Sequence, residues 1–182
     1  QGAHIVLVDT GNSYKGLCEL IRSKTRGEDG VYFTYTDAEP ITFNPFYTAD
    51  GLFDIEKRES VKTLILTLWK RDDEPPSRSE EVALSNAVNL YLEHIGRHPE
   101  HKPSFNGFYR FVGRDYRRLL RQKNVREKDF DIDNFLTVLE PYYEGGEYDY
   151  LLNSDKELDL LHKRFIVFEL DNIKDHKILL PI

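Results

Sequence analysis

Methionine is absent from the 182-residue sequence, and cysteine and tryptophan occur once each. Long apolar runs are missing too: stretches such as Leu64-Ile65-Leu66 are far too short to cross a bilayer. The lone Cys18 excludes an internal disulfide and suits a reducing compartment. No charged-then-apolar leader opens the residues at hand, so no signal peptide is visible in them. Basic residues are outnumbered, 25 against 32 acidic, and the net charge of -7 argues against a surface coated for nucleic acid while leaving room for a local basic patch. With no initiator, a strand pattern at the very start and an apolar pattern beginning at "HKILLPI", the sequence reads as a piece of a longer polypeptide.

What is present suffices for a core: 40% hydrophobic and 13% aromatic residues, in a length that fits one domain or one domain with an insertion. The opening "HIVLVDTGNSYKGLC" pairs a buried-strand run, Ile5–Val8, with a turn and a helix. Ser13 is placed to cap that helix, whose Leu17, Leu20 and Ile21 share a face, with Gly27 near its end. Val31–Tyr35 and Ile41–Phe43 read as short strands. The character then turns helical. Ile55, Val61, Leu64, Ile65, Leu68 and Trp69 recur at helical spacing behind Asp54, a natural N-cap. Ser77-x-x-Glu80 is a capping box ahead of the row Val82, Leu84, Ala87, Val88, Tyr91, Leu92 and Ile95. Ser104 opens a helix weakened by Gly107 and Gly113, and Ile132–Leu139 forms a shorter one ending at Pro141. Tyr142–Tyr150 is an aromatic, glycine-rich turn. After it come a second box pattern at Ser154-x-x-Glu157, the strand "RFIVFEL" and a helix start from Asn172. The expected organisation is α/β over 1–53, helical over 54–141, and α/β again over 142–182.

Gly11 and Gly16 have the spacing of the two glycines in a phosphate-binding loop, but that loop also needs lysine and a hydroxyl directly after the second glycine. Leu17 and Cys18 stand there, and Lys15 precedes it, so this is no phosphate loop. Asp9, Gly11 and Ser13 nonetheless fall where a strand's carboxyl end meets a helix start, the usual ligand edge of an α/β sheet. His94, His98 and His101 have a spacing that could seed a metal site, but Gly96 and Pro99 break the helix and only Glu100 offers a nearby carboxylate. The segment Arg110–Lys128 is basic, with Phe111 and Tyr116 interleaved. That composition suits single-stranded DNA, and equally a solvated helix face over a core. Glu140, Glu144, Glu147 and Asp149 offer carboxylates with no acid–base spacing, and no G-x-S-x-G exists. Nothing in the residues supports independent catalysis.

"VLVDTGNSYKGLCELI", "ITFNPF", "SEEVALSNAV" and "RFIVFELDNIKD", in this order over essentially the whole chain, resemble the TraG family of conjugation ATPases, which drive type IV secretion and are carried by conjugative transposons. The resemblance implies a partial RecA-like P-loop NTPase core with a mostly helical inserted domain. In the family a Walker A loop lies before the "DTGNSY" strand and a Walker B strand after "FELDNI". This chain has neither. ATP and Mg are therefore implied for the parent and none for this fragment, which is expected to be inactive alone. Asp9, Gly11, Asn12, Ser13 and Tyr14 carry the family's D-x-G-x-S-Y element and are implied to line the neighbourhood of the nucleotide. Other subunits of the secretion apparatus, a homo-oligomer and the cytoplasmic face of a bacterial membrane are implied as setting. The alternative is a non-enzymatic helical scaffold of a conjugation complex.

Overall fold

The computed structural model describes residues 3–36, 42–48, 51–71, 73–154 and 163–174. The chain forms two compact units, Gln1–Ile41 with Glu157–Ile182, and Thr42–Lys156.

The first unit is α/β. Three strands, β1 (Ile5–Asp9), β2 (Val31–Thr34) and β3 (Phe165–Glu169), form a parallel sheet in the order β1-β3-β2. Apolar and β-branched residues suit strands, and β3 is apolar on both faces because it lies in the middle. Register aligns Ile5 with Phe165 and Asp9 with Glu169 on one side, and Tyr32 with Val167 on the other. Side chains alternate between faces. One face, with Leu7, Tyr32, Phe165 and Val167, packs on α1 (Lys15–Lys24) through Cys18 and Ile21. On the other face Phe33 stacks on Phe168 at 5.1 Å.

Two expectations about α1 are corrected. Its buried side is Cys18, 1% exposed, while Leu17 and Leu20 lie open to solvent, because contact with the central strand is made by the pair at i, i+3. Ser13 does not cap it: Tyr14 takes the N-cap position without a side-chain bond, and the Ser13 amide is turned back to Asp9. Gly30, before β2, has φ +79°, and a Cβ there would meet the Cys18 carbonyl at 2.4 Å, so helix and turn touch main chain to main chain.

The second unit is helical: α2 (Ile55–Trp69), α3 (Arg78–Arg97), α4 (Phe105–Phe111), a π-turn (Val112–Tyr116), α5 (Arg117–Gln122), α6 (Ile132–Leu139) and α7 (Asp149–Leu152). The caps are those the sequence predicts. Asp54 accepts from the Lys57 amide at 2.7 Å, Ser77 and Glu80 form the reciprocal box, and Ser104 accepts from the Gly107 amide at 3.0 Å. Phe46, Tyr91, Phe108 and Phe135 are almost wholly buried, each burial stabilising by about 1.5–3 kcal/mol. Gly113 sits in the π-turn, where the weakening expected of it takes the form of a wider turn rather than a helix end.

The helical unit is larger than the span 54–141. Phe46 stacks edge-on against Tyr91, the Phe43 amide donates to the Leu151 carbonyl at 2.9 Å, and Tyr142, Leu151 and Leu152 are buried in the same unit. Packing, rather than the composition shift, sets its limits. Thr42 and Phe43 form no strand, and Ile41 lies outside the described residues. So does the Ser154-x-x-Glu157 box beyond Ser154. Asp171–Lys174 is a turn, and the helix expected from Asn172 falls mostly outside the described residues.

Candidate functional site

The carboxyl edge of the parallel sheet is built around one side chain. Glu169, the last residue of the central strand, is 1% exposed, the one buried charged group among the described residues. Its Oε1 accepts from the amides of Gly11 at 3.1 Å and Asp171 at 2.8 Å. Its Oε2 accepts from the Asn12 amide at 2.7 Å and the Tyr32 hydroxyl at 3.2 Å. Burial pushes this carboxyl upward, but the amides of Asp171, Gly11 and Asn12 and the Tyr32 hydroxyl outweigh it and hold it below the usual range. Burial, followed by the bond to Glu169 and its charge, pushes the Tyr32 phenol up to about 12.

The turn after β1 is moulded on this anion. Gly11 has φ +135° and Asn12 φ +59°, conformations in which successive amides point to one centre. Ser13 adds its amide to Asp9 Oδ2 at 2.7 Å, and Tyr32 also reaches Asn12 Oδ1 at 2.9 Å. Asp9, Gly11, Asn12 and Ser13 are thus brought together at the sheet edge, while Tyr14 begins the helix and is 39% exposed. Gly16 has no special φ, and nothing lies near where its Cβ would be. The amides of Gly11, Asn12 and Ser13 are committed to carboxylates of the chain itself. The turn is therefore no cradle for a triphosphate.

Glu169 is a functional residue that the sequence patterns do not single out: its one signal is a carboxylate ending an otherwise apolar strand, and only the central place of β3 gives it meaning.

In the helical unit, His94, His98 and His101 do converge, with ring centroids 4.7–6.0 Å apart. Among the described residues no group of three histidine, cysteine or carboxylate side chains is arranged to hold a metal. The basic segment does not form one face. Arg117 pairs with Asp133, Arg118 with Asp115 and Arg126 with Asp129, whereas Arg110 and Arg114 line a pocket together with His94 and His101. Glu144 pairs with Arg110, and Asp149 accepts the Gly145 amide, roles of local structure.

A parallel sheet with a helix on its face and a polar turn at its carboxyl edge defines an α/β unit. A family model for the TraG P-loop domain matches residues 1–182, and the chain belongs to that family. Membership ties it to a conjugation-related P-loop ATPase, with nucleotide binding implied for the parent protein. No curated protein matches the chain. Among the described residues no helix is long and apolar enough to cross a membrane.

Proposed function

We propose that this chain is the part of a RecA-like conjugation ATPase that flanks the nucleotide, with the helical unit inserted between its α/β segments. The observation that carries the reading is the Asp9–Tyr14 turn, set at the carboxyl edge of the sheet and bound through Gly11 and Asn12 to Glu169. The grip on the phosphates belongs to Walker A and Walker B segments of the parent outside residues 1–182. Phosphoryl transfer requires a phosphate cradle, a lysine and a metal-holding carboxylate together, so the fragment by itself does not turn over ATP. Asp9, Gly11, Asn12, Ser13 and Tyr14 line the nucleotide's surroundings, and the carboxylates of Asp9 and Glu169 pass changes there to the strands. The parent works at the cytoplasmic face of a bacterial membrane, as a homo-oligomer among other subunits of a type IV secretion apparatus.

The test is ATP hydrolysis by the 182-residue chain and by the parent. The chain shows no turnover, and Asp9→Ala in the parent lowers it. Turnover by the chain alone that disappears with Asp9→Ala overturns the reading. A parent reading frame without a G-x-x-x-x-G-K-[ST] also overturns it and favours the non-enzymatic scaffold.

A further inference from the structure

Two motifs that are unrelated in the sequence meet in the helical unit. His94 and His101 of the histidine trio and the first two arginines of the basic segment line one pocket of about 560 Å³. That volume lies within the range of small-molecule sites. Phe111 forms its aromatic wall, with the His94 ring 5.5 Å away and Tyr91 at 5.6 Å. Lys102, Arg110 and Arg114 supply fixed positive charge. Part of the wall is the π-turn, a rare geometry often found where a helix serves a site.

We propose that this pocket binds a nucleotide unit, its base against Phe111 and His94 and its phosphate against Lys102, Arg110 and Arg114. The arginines are not locked elsewhere. Arg110 meets Glu144 at 3.2 Å and Arg114 meets Asp115 at 3.1 Å, both with highly exposed guanidinium groups. Exposed pairs contribute little, and a phosphate offers a stronger bidentate partner. Lys102 is exposed and has no carboxylate partner among the described residues. The base needs only a flat apolar face, so the site reads no sequence.

The charged and polar groups around the pocket come from several elements. Facing the ligand are His94 and Tyr91 from α3, and Glu100, His101 and Lys102 from the following turn. Arg110 comes from α4, and Arg114 and Asp115 from the π-turn. Nearby, Arg118 engages Asp115 and His98 engages Glu100. The three fixed cations are opposed by Glu100 and Asp115.

Free nucleotide and single-stranded DNA share this ligand chemistry, and the proposal does not rest on the ATPase reading, because the pocket belongs to the helical unit alone. The probes are AMP and a fluorescent oligothymidylate of about twelve nucleotides, a length suited to single-strand grooves. Each is titrated onto the 182-residue chain at low salt. Arg110→Ala/Arg114→Ala should weaken binding about tenfold, through loss of charge-assisted bonds. Lys102→Gln, at an exposed position that leaves folding intact, should weaken it a few-fold, and Arg126→Ala should leave it unchanged. A strand ligand shows a log–log salt slope of about −0.7 per phosphate contacted, and a free nucleotide is bound as AMP without that slope. The proposal fails if neither probe binds. It also fails if Lys102→Gln and the double variant bind as the parent chain does, or if polyphosphate binds as tightly as the oligonucleotide.

Discussion

The helical unit and the α/β unit are held by different physics. In the helical unit, rings fill the core: Phe108 lies 5.5 Å from Phe46 and 5.6 Å from Tyr91, and Trp69 packs on Phe130 and Phe135. Among the described residues of the α/β unit, Cys18, Phe165 and Val167 form one buried cluster, while Val6 and Val8 of β1 stand 59% and 67% exposed. The unit's organisation comes from a buried carboxylate that gathers amides from two turns and a hydroxyl from the neighbouring strand. Apolar packing gives stiffness without direction, whereas hydrogen bonds to one anion fix where a turn lies. The second arrangement is what a ligand edge needs.

Truncation should separate the two most sharply. Phe108→Ala removes a fully buried ring and should cost about 3–5 kcal/mol, read as a lowered denaturation midpoint. A loss below about 1 kcal/mol would mean that this core is not close-packed.

Glu169→Ala should cost less, about 1–3 kcal/mol, because it strips partners from amides without opening a large cavity. Its signature is local: amide exchange at Gly11 and Asn12 rises while Ala87 and Leu92 keep their protection. Equal acceleration in both units would erase the contrast. The pH dependence has a definite sign. A carboxyl held below its usual range contributes stability that is fully present above the ordinary glutamate range and lost as pH falls through the depressed native value. Acid should therefore loosen the Asp9–Tyr14 turn, and Glu169→Gln should remove that dependence. Exchange rates measured from neutral pH downward test both.

The two glycines near the start offer a finer contrast. Gly11→Ala forces a side chain into φ +135° and should destabilise by about 1 kcal/mol or more. Gly16→Ala, in a helix with open space around it, should stabilise by roughly 0.5 kcal/mol. Thermal melts of the two variants should move in opposite directions.

Much of the helical unit was legible because its signals are local. A capping residue speaks for the three that follow it, and Asp54, Ser77 and Ser104 each stand where the structure uses them. The periodic row from Leu84 to Ile95 is buried as expected, although Val82 at its start is 52% exposed. β1 and β3 were legible from apolar runs. The rest depended on contacts distant in sequence. Nothing local distinguishes Cys18 from Leu17 as the side of α1 that meets the sheet. The Gly11–Glu169 bond spans 158 positions. The basic segment read as one stripe because spacing shows neither the π-turn nor the carboxylates of α6 that draw Arg117 aside.

Gly30 has a reach beyond its own turn. The smallest possible side chain at this point would already collide with the Cys18 carbonyl and the Arg22 amide. Any larger residue would act as a wedge, prying α1 off the start of β2. Since α1 begins directly after Tyr14, that tilt would drag the Asp9–Tyr14 turn with it, so a hydrogen atom in place of a methyl group sets the pose of a loop far along the chain.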